Sequence, residues 1–199
     1  MRLPNAACVL VLVVAACKTT PNYPVPATHP SAASTLESAV PMEIAVEVVE
    51  NRGADARIPL DLLRDALAQG LIESAYSPLD SRFVDTQLGG AAPGQGSTSF
   101  ASGITMLPDA WLRVSLDASD ERLFPVSGAF FLSGKAEMLS GDGSQVLWGV
   151  DLTRRLELGP TYGMRLDDGA FLPQAARLFA AEVIKLIPVR RAALAPKPL

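Results

Sequence analysis

Residues 126–158 read VSGAFFLSGKAEMLSGDGSQVLWGVDLTRRLEL, and this stretch decides the fold. Val126–Leu139 is a long, mixed apolar run containing Phe130 and Phe131. Ser140-Gly141-Asp142-Gly143-Ser144 follows as a hairpin signal, because Asp-Gly accepts the backbone angles a tight turn needs. On the return, Val146, Trp148, Val150, Leu152, Leu156 and Leu158 fall on one face, and Asp151, Thr153, Arg155 and Glu157 on the other. Gly159-Pro160 ends the run. Upstream, Leu112, Val114 and Leu116 alternate with Arg113, Ser115 and Asp117, the period-two pattern of another strand. Together these segments predict an antiparallel sheet whose apolar face needs a second layer.

The flanks supply that layer. Met42, Ile44, Val46 and Val48 alternate with Glu43, Ala45 and Glu47, which predicts a first strand with one buried face, broken at Asn51-Arg52-Gly53. Leu60, Leu63, Leu67 and Leu71 form a helical stripe whose other face carries Asp61, Arg64, Asp65 and Gln69. Pro59 fits the first turn of that helix, where its missing N–H costs nothing. Arg82-Phe83-Val84-Asp85 reads as a short second strand. Leu172, Ala175, Phe179, Val183 and Leu186 predict a closing helix over 171–187, with Asp167 and Asp168 favouring the positive end of its macrodipole. The expected fold class is α+β in the order β-α-β-β-β-β-α, a mostly antiparallel sheet with helices packed on one face. One domain spans 42–188. Within it, 86–105 is a Gly/Ser-rich loop, and Gly94-Gln95-Gly96-Ser97 lacks the lysine and the strand-to-helix setting of a phosphate loop. Residues 189–199 read as a frayed tail.

The N-terminus carries a different kind of signal. An apolar run, Ala6–Ala16, follows a single charge at Arg2 and ends in Val14-Ala15-Ala16-Cys17. The run is about half the ~20 residues a spanning helix requires and suits a signal-peptide core. Val14-Ala15-Ala16 before a cysteine resembles a bacterial lipobox. That resemblance implies a signal peptide over 1–16, cleavage before Cys17, and lipidation of Cys17 with acyl chains such as palmitate. Lys18 follows the cysteine, where aspartate resembles an inner-membrane retention signal in enteric bacteria, so the outer membrane is the expected address. Residues 17–41 contain Pro21, Pro24, Pro26, Pro30 and Pro41 and read as a tether, reaching at most ~70 Å as polyproline II.

The leader also limits the chemistry. The chain has two cysteines and one histidine. Cleavage removes Cys8, lipidation occupies Cys17, and His29 lies in the Pro-rich segment. Cys/His zinc sites, Cys–His nucleophiles and Ser–His–Asp triads then lack their parts. The expected chain is non-enzymatic, with no cofactor and no metal site. Its net charge of −4 becomes one unit more negative without Arg2, which excludes phosphate-neutralising nucleic-acid binding.

Glu43–Asn51, Pro108-Asp109-Ala110-Trp111-Leu112 and Gly141–Trp148 together resemble a class of bacterial envelope lipoproteins. It includes the curli-secretion lipoprotein, the lipoprotein activator of penicillin-binding proteins and the N-terminal domain of TolB. The resemblance covers 41–188 and implies a recruiting α+β domain with no catalytic residues. The second helix usual before the central strand is replaced here by the Gly/Ser loop, and no amphipathic hairpin for a membrane pore is present.

The expected function is a membrane-anchored module of a cell-envelope complex that binds an envelope protein or its own copies. Trp111 and Phe131 are candidate partner contacts, weighed against a core role that apolar strand positions normally have. A lipid- or solute-binding lipoprotein is one alternative and requires an enclosed apolar pocket. A glycan hydrolase using Asp117/Asp120/Glu121 or Asp167/Asp168 is another, and requires a sugar-sized cleft between its carboxylates.

Overall fold

The computed structural model describes residues 23–32, 35–87, 107–159 and 171–190. Its elements run β1 (Ala27–Ala32), α1 (Leu36–Ala39), β2 (Glu43–Val46), β3 (Glu50–Asn51), α2 (Leu60–Glu73), β4 (Ser77–Pro78) and α3 (Ser81–Gln87). Then come β5 (Ala110–Asp120), α4 (Phe124–Ser127), β6 (Ala129–Ser140), β7 (Val146–Glu157) and α5 (Phe171–Ile184). The seven strands form one sheet in the order β1-β7-β6-β5-β2-β4, with β3 also on β5. The long β5, β6 and β7 and the edge strand β1 pair antiparallel, whereas β2, β3 and β4 join in parallel. This is the α+β class expected.

Alternation sorts the core. Leu112, Val114, Leu116, Phe130, Leu132, Ala136, Met138, Trp148, Val150, Leu152 and Leu156 face one side, under α2 and α5. Leu63, Leu67 and Leu71 come down from α2; Leu172, Ala175, Phe179 and Val183 come from α5. The hairpin closes as the sequence predicts. Gly143 takes φ 71°, Ser140 and Gln145 pair across the turn, and the Asp142 carboxylate accepts from the hydroxyls of Ser140 and Ser144.

Five expectations are corrected. Arg82–Asp85 is helical, because the Asp80 carboxylate accepts the amides of Arg82 and Phe83 and caps α3. Four residues, with Phe83 and Val84 side by side, are too few to tell the two periods apart. The strand expected from Val126 starts at Ala129. Leu123–Ser127 instead winds a single turn, which Gly128 ends in the left-handed region at φ 69°. The first strand is shorter and buried on both faces: Ala45 is covered, and Met42 and Val48 are 49 % and 44 % exposed. The tether read over 17–41 is partly folded, since Ala27–Ala32 pairs with β7 and Leu36 enters the core. Finally, Arg190 in the expected tail is docked, its amide on Ser74 O and its Nε on Pro41 O.

A side chain adds to the backbone ladder that holds β1 on β7. Arg154 stands on the helix-facing side of β7; its guanidinium donates to Ala27 O at 2.8 Å, to Thr28 Oγ1 at 2.7 Å and to Glu182 of α5 at 3.0 Å. Edge strand, sheet and helix are stitched together there. α3 does something the sequence did not announce: it lies on the opposite face, where Val84 packs with Ala45, Trp111 and Leu139.

The end of α2 is a hydrogen-bonded stop in which the amide of Tyr76 reaches Leu71 O and that of Ala75 reaches Ile72 O. Ala75 therefore sits at φ 66°, where glycine is normally found. Ala75→Gly is expected to raise stability by roughly 1 kcal/mol, read as a higher urea midpoint at unchanged slope. A lower midpoint would contradict this account of the helix stop.

Candidate functional site

The residues singled out in the sequence do not converge. Cys17, Val14, Ala15 and Ala16 lie outside the described residues, as do Asp167, Asp168 and 88–105 of the Gly/Ser loop. Trp111 is buried beneath α3 and its indole N–H donates to Gly141 O at 2.8 Å, holding the hairpin against β5. Phe131 is buried on the same side of the sheet, paired across β6 with Asp120 and Arg155. Both have the core role, not that of exposed partner contacts.

Two of the acids read as catalytic candidates, Asp120 and Glu121, are engaged by arginines, whereas Asp117 lies 3.4 Å from the Ser115 hydroxyl. Asp120 bonds Arg122, whose side-chain hydrogen bond holds the carboxyl below its ordinary value. Asp55 is held down in the same way by Arg57, which also reaches Glu121 at 3.3 Å. A general acid needs a raised pKa; Asp120 has the reverse.

Two grooves are found among the described residues, one against α2 and one beyond its C-terminal end. One, of about 240 Å³, is open and lined by Val46, Arg64, Gln69, Ile72, Leu79 and Asp80. The other, of about 160 Å³, lies between Leu36, Val40, Tyr76 and the segment Pro188–Arg190. In the second, Tyr76 donates its hydroxyl to Pro188 O at 2.7 Å, and burial raises its pKa. Val40, at φ 43°, is a β-branched residue held in the left-handed region, and Val189 stands exposed beside it. Such strain persists only where the surroundings over-determine it.

Arg64 is the buried cation that sequence reasoning placed on the polar face. It is 7 % exposed. Its Nε and Nη2 donate to Val46 O at 3.0 and 2.8 Å, and its Nη2 lies 2.8 Å from Asp85 of α3. The signal was present, since 64 is four residues after Leu60 and three before Leu67, within the stripe itself. The carbonyl at the end of β2 has no further strand partner there, and Arg64 supplies its donors. On the sheet face away from α2 and α5, further charges pair: Arg113 with Glu47 at 2.8 Å and Lys135 with Glu137 at 2.8 Å, while Ser133 and Thr153 share a hydrogen bond. The carboxylate of Glu47 holds the Arg113 guanidinium charged. Among the described residues no cluster of three or more His, Cys, Asp or Glu could hold a metal ion. No helix among them is long and apolar enough to cross a membrane.

The sequence matches no family model and no curated protein. Solved structures do resemble the fold. A PelC dodecamer from Paraburkholderia phytofirmans aligns at 14 % identity and TM-score 0.49, over 84 % of this chain and 99 % of that one. Lipoprotein GNA1162 from Neisseria meningitidis aligns at 17 % identity and TM-score 0.43, over 73 % and 96 %. The LpoB C-terminal domain from Escherichia coli aligns at 16 % identity and TM-score 0.41, over 57 % and 82 %.

The geometry around Arg64 makes a measurable distinction. Arg64→Met leaves Val46 O buried without its donors and is expected to cost about 2–3 kcal/mol. Asp85→Asn removes a half-exposed carboxylate and costs under about 1 kcal/mol. Equal losses in chemical unfolding would show that the ion pair, not the carbonyl, is what Arg64 serves.

Proposed function

We propose that this chain is a membrane-anchored, non-enzymatic lipoprotein of the bacterial envelope that serves as a partner-binding or assembly module. The reading is carried by one observation: a short apolar leader ends in Val14-Ala15-Ala16-Cys17, ten residues before the first strand of the folded domain. Acylation of Cys17 binds the chain to lipid through its acyl chains, and Lys18 favours the outer membrane, with the domain in the periplasm.

Two features support the non-enzymatic half. Asp120 and Glu121 are engaged by Arg122 and Arg57, and leader removal with lipidation leaves the domain without a thiol nucleophile. The alternatives draw less support. Two grooves among the described residues, of about 240 and 160 Å³, are smaller than the roughly 300–1,000 Å³ usual for small-ligand sites. Of the acids named for a glycan hydrolase, Asp120 is held below its ordinary range by Arg122, the reverse of what a general acid needs.

The test has two arms. Cells fed labelled palmitate are expected to label the wild-type chain, and Cys17→Ser is expected to lose the label and leave the membrane fraction. Crosslinking in intact cells, followed by mass spectrometry, is expected to give a product with a defined envelope partner or a second copy. An unlabelled wild-type chain contradicts the anchor; a labelled chain that stays strictly monomeric and uncrosslinked contradicts the module.

A further inference from the structure

Nine large hydrophobic side chains stand exposed among the described residues, and the two most exposed are Val126, at 84 %, and Val25, at 76 %. They lie at the same end of the sheet. Val126 sits on α4, the single turn between β5 and β6. The strand β1 runs antiparallel to β7, with Ala27 opposite Thr153, so the residues before it approach the level of Arg155 and Glu157. Leu158, just beyond, donates its amide to Gly128 O at the close of the α4 turn. The ring of Tyr23 lies 5.2 Å from the guanidinium of Arg122, four residues before Val126. The incoming chain and the α4 tip are therefore neighbours.

The tip is held, not loose. Phe124 points inward and meets Phe171 of α5 edge-on, with ring centroids 5.1 Å apart, while Pro125 and Val126 face outward. An inward aromatic and an outward aliphatic on one turn present apolar surface on a rigid mount.

Cys17 precedes Tyr23 by six residues, and six residues span at most about 20 Å however they are arranged. We propose that Pro125 and Val126 of α4, with the Tyr23–Pro26 approach, form a membrane-contact surface that seats in the lipid interface. The sheet then stands on end against the bilayer. This rests on the anchor at Cys17: a lipidated cysteine cannot leave the interface, so this end of the domain is held within about 20 Å of it. The hairpin Gly141–Gln145 closes the opposite end of the 12-residue strands β6 and β7, about 35–40 Å away at ~3.3 Å per residue. The charges around the tip are mixed: Asp55, Asp120, Glu121 and Glu157 stand among Arg57, Arg122 and Arg155. Attraction to anionic headgroups has no basis there, so the contact is apolar and indifferent to lipid charge.

The anchor reading itself supplies the probe. With Cys8 cleaved and Cys17 acylated, Val126→Cys carries the one free thiol of the mature chain, and Gln145→Cys does the same at the far end. Full-length lipidated protein, labelled with an environment-sensitive maleimide dye, is reconstituted in phosphatidylcholine vesicles with and without phosphatidylglycerol. A lipid-borne quencher is expected to cut the Val126→Cys signal about two-fold or more in both compositions, as for a side chain at interfacial depth, and to leave Gln145→Cys unchanged. Quenching at neither position, or at Gln145→Cys alone, overturns the proposal while leaving the anchor intact. A Val126→Cys dye shielded from aqueous iodide but untouched by the lipid quencher is packed against a second copy, which also overturns it. Maleimide uptake by the wild-type chain means that a thiol is free; the anchor reading then fails, and this proposal fails with it.

Discussion

The ring of Phe179 lies against the bare backbone of Gly134 at the centre of the sheet, and the rest of the architecture depends on that contact. A Cβ on Gly134 would meet Ser115 O of β5 and stand 3.2 Å from Phe179 Cζ. Without it, β5 passes close to β6 just where their register shifts, between Leu116 and Ala118, and α5 settles directly onto the strands. The same device recurs between the helices, where a Cβ on Gly70 would stand 2.5 Å from Ile184 Cγ1. Once α5 is seated, Glu182 is in place for Arg154, and Arg154 in turn fastens β1. A chain of close approaches thus runs from the core to the N-terminal edge.

A sheet covered by α2 and α5 on one side leaves the other to be settled differently. Among the described residues, α3 covers the corner around Ala45, Trp111 and Leu139. Elsewhere on that face Phe131 is buried and charged side chains pair with one another, Arg113 with Glu47 and Lys135 with Glu137. Their aliphatic stems shade the backbone while their charged ends stay paired.

The period-two pattern of residues 146–158 and the Asp142-Gly143 turn were legible because each follows from backbone geometry alone. So were the stripes of α2 and α5. What escaped was set by distant partners. Ala27–Ala32, with its proline and histidine, has no strand signature of its own and is ordered by β7 and the guanidinium of Arg154. Arg82–Asp85 reads as a strand from an adjacent phenylalanine and valine between two charges, whereas the decisive residue is Asp80, a cap just outside the segment. Arg64 was read as solvated because of its charge, although its spacing places it within the leucine stripe. Trp111 and Phe131 were weighed as surface or core, and only the observed packing could choose. Cys17, the strongest functional signal, belongs to a local stretch, Val14-Ala15-Ala16-Cys17, that resembles a lipobox, so it needed no fold to be read.

If Cys17 carries the proposed lipid, the tether is shorter than the proline content suggests, because the first strand begins at Ala27. The proposed mounting orients the module as well as localising it. Everything proposed for its function nevertheless rests on the chemistry at one residue. Intact and peptide mass spectrometry of the mature chain, purified from the membrane fraction, addresses it directly. The account predicts an N-terminus at Cys17 carrying a thioether-linked diacylglyceryl group and an acylated amine, with no peptide from residues 1–16. A mature chain that keeps Met1, or begins at an unmodified Cys17, would contradict it.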